Sequence, residues 1–207
     1  MLEEILQNKT EKQIRGYVYY YCIPPIFNME KLYPTIRQEE LDNCSDEVKK
    51  EKYFVWKLLE CALRDVFGLD IKEVEFRKTE YGKWECDKCY FSLSHRKGYV
   101  VVAVSNKPIG VDIEKKHVPV NNFENKILNE KEFNLFKCSN KKEESTFLIS
   151  MWAKKESIFK ILCERRFIPK NIDTTLFYSK LHLIDDFVIA ASSFEQMDIV
   201  FKKCEMV

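Results

Sequence analysis

Val100-Val101-Val102-Ala103-Val104, then Asn106-Lys107-Pro108, then Ile109-Gly110-Val111-Asp112-Ile113-Glu114, is the stretch on which the fold turns. The first run is apolar at every position, so both of its faces must be covered, as in a strand inside a layered sheet. Turn-forming residues end it at 106–108. The second run alternates, with Val111 and Ile113 on one face of a strand and Asp112 and Glu114 on the other. Two strands of different character meet near the midpoint of a 207-residue chain. One structural half is expected to end there and another to begin.

The patterns on either side have the same ingredients. Toward the N-terminus, 98–105 and 91–94 read as strands, Tyr81-Gly82-Lys83 as a turn, and 74–77 as a strand. Before them, 45–66 reads as a helix, with Tyr53, Trp56, Leu59, Leu63 and Val66 at helical spacing, Ser45 as a cap and Gly68 just past its end. The strand-forming run 17–23 stops at Pro24-Pro25. Toward the C-terminus, 121–136 and 143–165 read as helices, and 177–183, 187–191 and 199–203 as strands, with Ile184-Asp185-Asp186 turning a hairpin. The fold class is therefore α+β, built from two similar α/β halves, 1–106 and 107–207. The second half carries the more unusual charges.

Composition narrows the function. Apolar residues make up 45% and charged residues 32%, the balance of a globular protein rather than a disordered one. No run of about 18 apolar residues occurs, so no membrane span is expected. The N-terminus, Met1-Leu2-Glu3-Glu4-Ile5, is acidic and lacks signal-peptide character, so a cytoplasmic location is expected. A net charge of +1 with no basic stripe argues against nucleic acid as a partner. The eight cysteines are scattered, and only Cys86-Asp87-Lys88-Cys89 has metal-ligand spacing. A loop with two free thiols is the expectation there, with zinc or redox work as the alternative.

Three segments carry possible chemistry. Asp112 and Glu114, on one strand face, repel each other unless a cation lies between them. A hard divalent cation with oxygen ligands suits the pair, and so does a solvated face aided by Lys115 and Lys116. In the 143–165 helix, Leu148, Met151, Trp152, Ile158, Phe159 and Leu162 form an apolar arc that encloses Lys155. A lysine there must snorkel to the edge or meet an anion. Glu156 and Lys160 adjoin beside the arc, as a catalytic pair or as an ordinary surface pair. Last, Ser94-His95-Arg96 ends a strand, where hydroxyl, imidazole and backbone amides can hold phosphate or simply close a turn. A serine-hydrolase pair is not expected, because its members meet in space rather than in sequence.

Taken in order, Tyr81-Gly82-Lys83, Phe91-Ser92-Leu93-Ser94-His95, Gly110-Val111-Asp112-Ile113-Glu114 and Trp152-Ala153-Lys154-Lys155-Glu156-Ser157-Ile158-Phe159-Lys160 resemble the surfactin-type (Sfp-like) 4′-phosphopantetheinyl transferases. The resemblance implies two α/β halves packed as a pseudo-dimer, with coenzyme A in the cleft between them. It implies transfer of the phosphopantetheine arm to a serine of an acyl or peptidyl carrier protein, with Mg²⁺ as cofactor and a monomeric enzyme. It also implies Asp112, Glu114 and Glu156 as metal ligands, and Lys155 and Lys160 facing the diphosphate. Ser94, His95 and Lys83 would contact coenzyme A, and Glu132 or Glu156 would be the base. Three departures stand out. Trp84 follows the turn where proline is usual, Arg96 follows Ser94-His95 as an extra phosphate contact, and Trp56-Lys57-Leu58-Leu59 replaces a basic nucleotide-binding pattern. Lys49, Lys50, Lys52 and Lys57 would substitute there. The rival readings are a non-catalytic coenzyme A-binding relative and another metal-dependent phosphotransferase or nuclease. Residues 121–142, mixing Lys126, Lys131, Lys137, Lys141 and Lys142 with Phe123, Ile127, Leu128, Phe133, Leu135 and Phe136, are either a landing surface for the carrier or a helix on its own core.

Overall fold

The computed structural model describes residues 15–116, 122–141 and 143–205. Met1 to Ile5, Asn121 and Lys142 lie outside them. The first half opens with strand β1 (Arg15–Cys22), a short helix α1 (Thr35–Asp42) and the long helix α2 (Asp46–Phe67). Ser45 stands at the N-cap of α2, but its side chain makes no capping hydrogen bond. Gly68 ends the helix in the left-handed region at φ +67°, where its N–H reaches the carbonyls of Leu63 and Arg64. A small hairpin, β2 (Phe76–Lys78) and β3 (Trp84–Cys86), precedes a larger one, β4 (Tyr90–Arg96) and β5 (Tyr99–Ser105). The larger hairpin turns on Lys97-Gly98, both at positive φ, the tight geometry that suits twisted strands.

The second half runs β6 (Ile109–Lys115), α3 (Glu124–Ile127), α4 (Glu130–Lys137) and α5 (Glu144–Leu162), then β7 (Tyr178–Ile184), β8 (Phe187–Ser193) and β9 (Asp198–Lys203). The single helix expected over 121–136 is two helices. Leu128 is extended, and Asn129 starts a new helix through a capping box in which it and Glu132 satisfy each other's backbone N–H.

Two sheets result, with strand orders β4-β5-β1-β9 and β6-β8-β7. In each half a strand, a long helix and a hairpin follow one another, and the last strand of the hairpin inserts beside the first strand, antiparallel to it. Strand β9 departs from this symmetry. It crosses back to pair parallel with β1, so the end of the chain completes the sheet of the first half.

The layers follow from burial. Val18, Val101 and Ala103 of the first sheet pack against Val111, Ile113, Ile189 and Ala191 of the second. On the outer face of the first sheet lies α2, with Trp56, Leu59 and Leu63 against Tyr19, Val100 and Val102. Each such large side chain taken from water contributes roughly 1.5–3 kcal/mol. Helix α5 lies close against β6 and β8. A Cβ built on Gly110 would come within 1.9 Å of the Ser157 carbonyl oxygen, so only glycine lets strand and helix approach this closely. The glycine beside the two carboxylates therefore sets their distance from α5.

Candidate active site

The two sheets meet edge to edge at β4 and β6. An edge strand leaves backbone groups unpaired, and here side chains satisfy them. Ser92 Oγ accepts from Val111 N–H at 3.0 Å, and Ser94 Oγ accepts from Ile113 N–H at 3.4 Å. Lys160 Nζ donates to the Val111 carbonyl at 2.9 Å. Ser92, Ser94 and Arg96 share one face of β4 by strand alternation, and they meet successive residues of β6.

On this seam β6 carries Asp112 and Glu114. Asp112 is 5% exposed. Its Oδ1 accepts from Ser94 Oγ and from Lys160 Nζ, both at 2.8 Å. Its Oδ2 is buried without a hydrogen-bond partner among the described residues. Glu114 accepts from Trp152 Nε1 at 3.2 Å and pairs with Arg96 Nε at 3.1 Å. Burial and the neighbouring Asp112 charge raise its pKa. Glu156, one turn before Lys160 on α5, has no hydrogen-bonded partner among the described residues. Burial first, and the Asp112 and Glu114 charges with it, push its carboxyl up to about 7, against the pull of Lys160. The three carboxylates thus feel one another's charge, as the family resemblance implies.

Among the described residues no three His, Cys, Asp or Glu side chains form a ready-made metal cage. The donors nonetheless fit a hard divalent cation. All are oxygens, Asp112 Oδ2 is unpartnered, and a small cation that keeps its waters needs only one or two carboxylates besides substrate phosphate. Beside the seam lies a cavity of about 290 Å³ lined by Tyr81, Lys83, Trp84, Ser92, Phe159 and Lys160, among others. The turn residue Lys83 and the helix residue Lys160 therefore share a concave surface. The indole N–H of Trp84 is buried there without a partner among the described residues.

The structure gives several of the expected site residues partners within the protein. Lys155 does not face a cleft. It is fully buried, 2.7 Å from Glu132 Oε2, and donates to the carbonyls of Pro169 and Ile172 at 2.8 Å each. The anion its place in the apolar arc demands is Glu132. Glu132 in turn takes the Asn129 N–H on Oε2 and Thr174 Oγ1 on Oε1, so both of its oxygens are engaged in the core. Ser94 holds Asp112 rather than offering its hydroxyl to phosphate. His95, on the opposite face of β4, pairs with Glu51 of α2 at 2.7 Å. Arg96 faces Glu114.

The substitute lysines also have local partners. Lys49 pairs with Asp42 and Lys57 with Glu60, Lys52 bonds Cys44 Sγ, and Lys50 lies over the Phe27 ring. Between α3 and α5, Ile127 and Leu128 pack on Leu148 and Met151, with Phe123, Phe133 and Phe136 around them, so most apolar residues of 122–136 serve the core. Leu135 remains 63% exposed. The Cys86 and Cys89 thiols are free and 3.7 Å apart.

Sequence reasoning missed Ser92 and Trp152. Ser92 lies two residues before Ser94, and that period was its signal. Trp152 could have been found only by placing α5 against β6.

Fold and seam together define an α+β protein with an acidic site, bridged by lysine and arginine, where two sheets meet. Residues 108–187 match the family model of the 4′-phosphopantetheinyl transferase superfamily. The chain is 30% identical over 115 residues to the 4′-phosphopantetheinyl transferase gsp of Aneurinibacillus migulanus, covering 55% of this chain and 48% of that one. It is 28% identical over 106 residues to a 4′-phosphopantetheinyl transferase of Bacillus subtilis, covering 50% and 47%. Against Sfp of Bacillus subtilis strain 168 it is 26% identical over 138 residues, covering 63% and 62%. The chain thus spans about half to three-fifths of the length of these curated relatives. The resemblance to Sfp-like transferases is borne out over that span. No helix among the described residues is long and apolar enough to cross a membrane.

Proposed function

We propose that the protein transfers the 4′-phosphopantetheine arm of coenzyme A to a serine of an acyl or peptidyl carrier protein, releasing 3′,5′-ADP. The observation that carries this reading is the seam itself. Asp112, Glu114 and Glu156 lie within reach of one another's charge, with Lys160 on Asp112 and on the rim of the adjacent cavity. The names of the relatives support the same chemistry. Asp112, Glu114 and Glu156 would hold Mg²⁺, which when bound neutralises the diphosphate and stabilises charge on the leaving nucleotide.

The chain's own residues divide the remaining work. Lys160 and Lys83, which both line the cavity, would meet the phosphates of coenzyme A. Glu156, directly or through a water, would be the acceptor for the proton of the carrier serine. Glu132 and Lys155 would hold the loop beside α5 from the core and serve stability rather than the reaction. Ser94 would reach phosphate only by giving up Asp112, whereas His95 spends only Nδ1 on Glu51 and could meet phosphate through Nε2. The equal strand–helix–hairpin order of the halves supports a pseudo-dimer within one chain, and with it a monomer. The boundary near residues 106 and 107 and a cytoplasmic location belong to the same proposal. The non-catalytic alternative has no support, since Asp112, Glu114, Glu156 and Lys160 are all present and the relatives are named as transferases.

The test is incubation with coenzyme A, Mg²⁺ and a panel of apo carrier proteins, followed by intact-mass spectrometry of the carriers. One phosphopantetheine mass should appear on a carrier and vanish with EDTA and in Glu156→Ala. No gain on any carrier would overturn the proposal.

A further inference from the structure

We propose that Arg96 is a resident countercharge that competes with the divalent cation for Glu114, and so sets how tightly the acidic site takes metal. This rests on the metal reading above. The observation is the row Ser92, Ser94, Arg96 on one face of β4. The two serines spend their oxygens on the backbone of β6 and on Asp112. Arg96, next in the row, meets a carboxylate instead of a backbone group, with Nε 3.1 Å from Glu114 Oε2.

The two cations of the site are held differently. Lys160 is anchored by the Val111 carbonyl as well as by Asp112, and its side chain is 26% exposed. Arg96 has no other hydrogen-bond or ion-pair partner among the described residues, and its side chain is 49% exposed while that of Glu114 is only 15% exposed. A half-exposed arginine loses little when it swings to solvent. A divalent ion approaching Glu114 must displace this guanidinium or bear its repulsion. Trp152 Nε1 on the other oxygen of Glu114 is neutral and imposes no such cost. Arg96 is therefore a positioning residue. It holds Glu114 in place before metal arrives, and it lowers the affinity for the ion that replaces it.

The test uses the full chain without coenzyme A, with Mn²⁺ as the probe and free Mn²⁺ counted by electron paramagnetic resonance. Arg96→Gln should tighten Mn²⁺ binding about 3- to 5-fold, the factor expected for losing one partly exposed ion pair. Arg96→Lys should fall nearer the wild type, since it keeps the charge but not the planar fork. Melting temperatures, read alongside, should stay close to the wild type. Were Arg96 merely structural, Arg96→Gln would melt lower without binding Mn²⁺ more tightly. If the wild type binds Mn²⁺, Asp112→Ala does not, and Arg96→Gln binds as the wild type or more weakly, the role of Arg96 is overturned and the metal site stands. If the wild type binds no Mn²⁺, or Asp112→Ala binds it equally well, the metal reading fails and the role of Arg96 with it.

Discussion

Helices α2 and α5 occupy the same place in the two halves, each following the first strand of its sheet, yet they bury different chemistry. All eight buried residues of α2 are apolar or aromatic: Tyr53, Phe54, Val55, Trp56, Leu58, Leu59, Ala62 and Leu63. The buried set of α5 includes Lys155 and Ser157. Ser157 Oγ lies 2.6 Å from Ser192 Oγ on β8, and Lys155 meets Glu132. One half is thus a packed apolar layer. The other carries an internal polar framework next to the acidic seam. The same order of elements can invest in stability on one side and in charge placement on the other, because the shared intersheet layer of Val18, Val101, Val111 and Ile113 holds both.

The sharpest test of this contrast is Lys155→Met beside Trp56→Ala. Removing Lys155 strands the buried carboxylate of Glu132, which should cost about 3–5 kcal/mol of stability. Trp56 is 1% exposed and donates from Nε1 to the Tyr33 carbonyl at 2.6 Å, so its truncation should also cost about 3–5 kcal/mol. Denaturant unfolding measures both. Activity per folded molecule should change little in either variant. A Lys155→Met protein of normal stability with collapsed kcat would break the comparison, because Lys155 would then face substrate after all.

The next largest effect belongs to the seam. Asp112→Ala should lower kcat by at least ~10²-fold, the usual cost of losing one electrostatic stabiliser. It should also free Lys160 and Ser94 without unfolding the protein. Steady-state kinetics on a carrier, with circular dichroism as the control, decides it. Near-normal turnover would remove the metal-centred scheme.

Much of this was legible before any coordinates. Alternation along 109–114 set Asp112 and Glu114 on one face, and helical spacing set Lys155 inside an apolar arc, where it had to snorkel to the edge or meet an anion. The identity of that anion was not legible. Glu132 lies 23 residues away on a separate helix, and only the break at Leu128 and the capping box at Asn129 bring it back over α5. A continuous helical pattern over 121–136 hides that break, because the apolar spacing persists through it. The return of β9 to β1 was hidden for another reason. A strand's own pattern says which face is buried but not which neighbour it pairs with. The double use of Ser94, as donor to Asp112 and acceptor from Ile113, likewise depends on how two edge strands meet.

A smaller effect probes the same seam through its hydrogen bonds. Ser94→Ala leaves Asp112 Oδ1 with Lys160 alone and the Ile113 N–H without its acceptor. A stability loss of about 1–3 kcal/mol is expected, the cost of leaving buried polar groups unpaired. The kcat loss should be well below that of Asp112→Ala. Equal losses in the two variants would mean that the placement of Asp112, and not its charge, governs the reaction.

The smallest effect lies on the far side of the molecule, where β7 and β9 adjoin. There Lys180 Nζ reaches the Ile199 carbonyl at 2.8 Å, and His182 stacks on Phe201 with ring centroids 4.8 Å apart, beside Tyr20 at 5.4 Å. Burial first, and the Lys180 charge second, lower the His182 pKa below its ordinary 6.5. The unfolded chain therefore takes up this proton at higher pH than the folded one. The stability that His182 contributes should be fully present above pH 6.5 and should fall as pH drops through that value toward the folded pKa. His182→Phe keeps the stack and removes the proton, so the wild type should lose stability relative to it on acidification. Urea midpoints measured from pH 7.5 to 5 would report the difference, and the carboxylates titrate in both proteins and cancel in the comparison. Parallel curves would mean that the aromatic contact at β7–β9 excludes less water than its geometry implies. A widening gap would mark this edge as the neutral counterpart of the charged β4–β6 seam: one edge of the two-sheet core closed by ring stacking, the other by carboxylates that need cations.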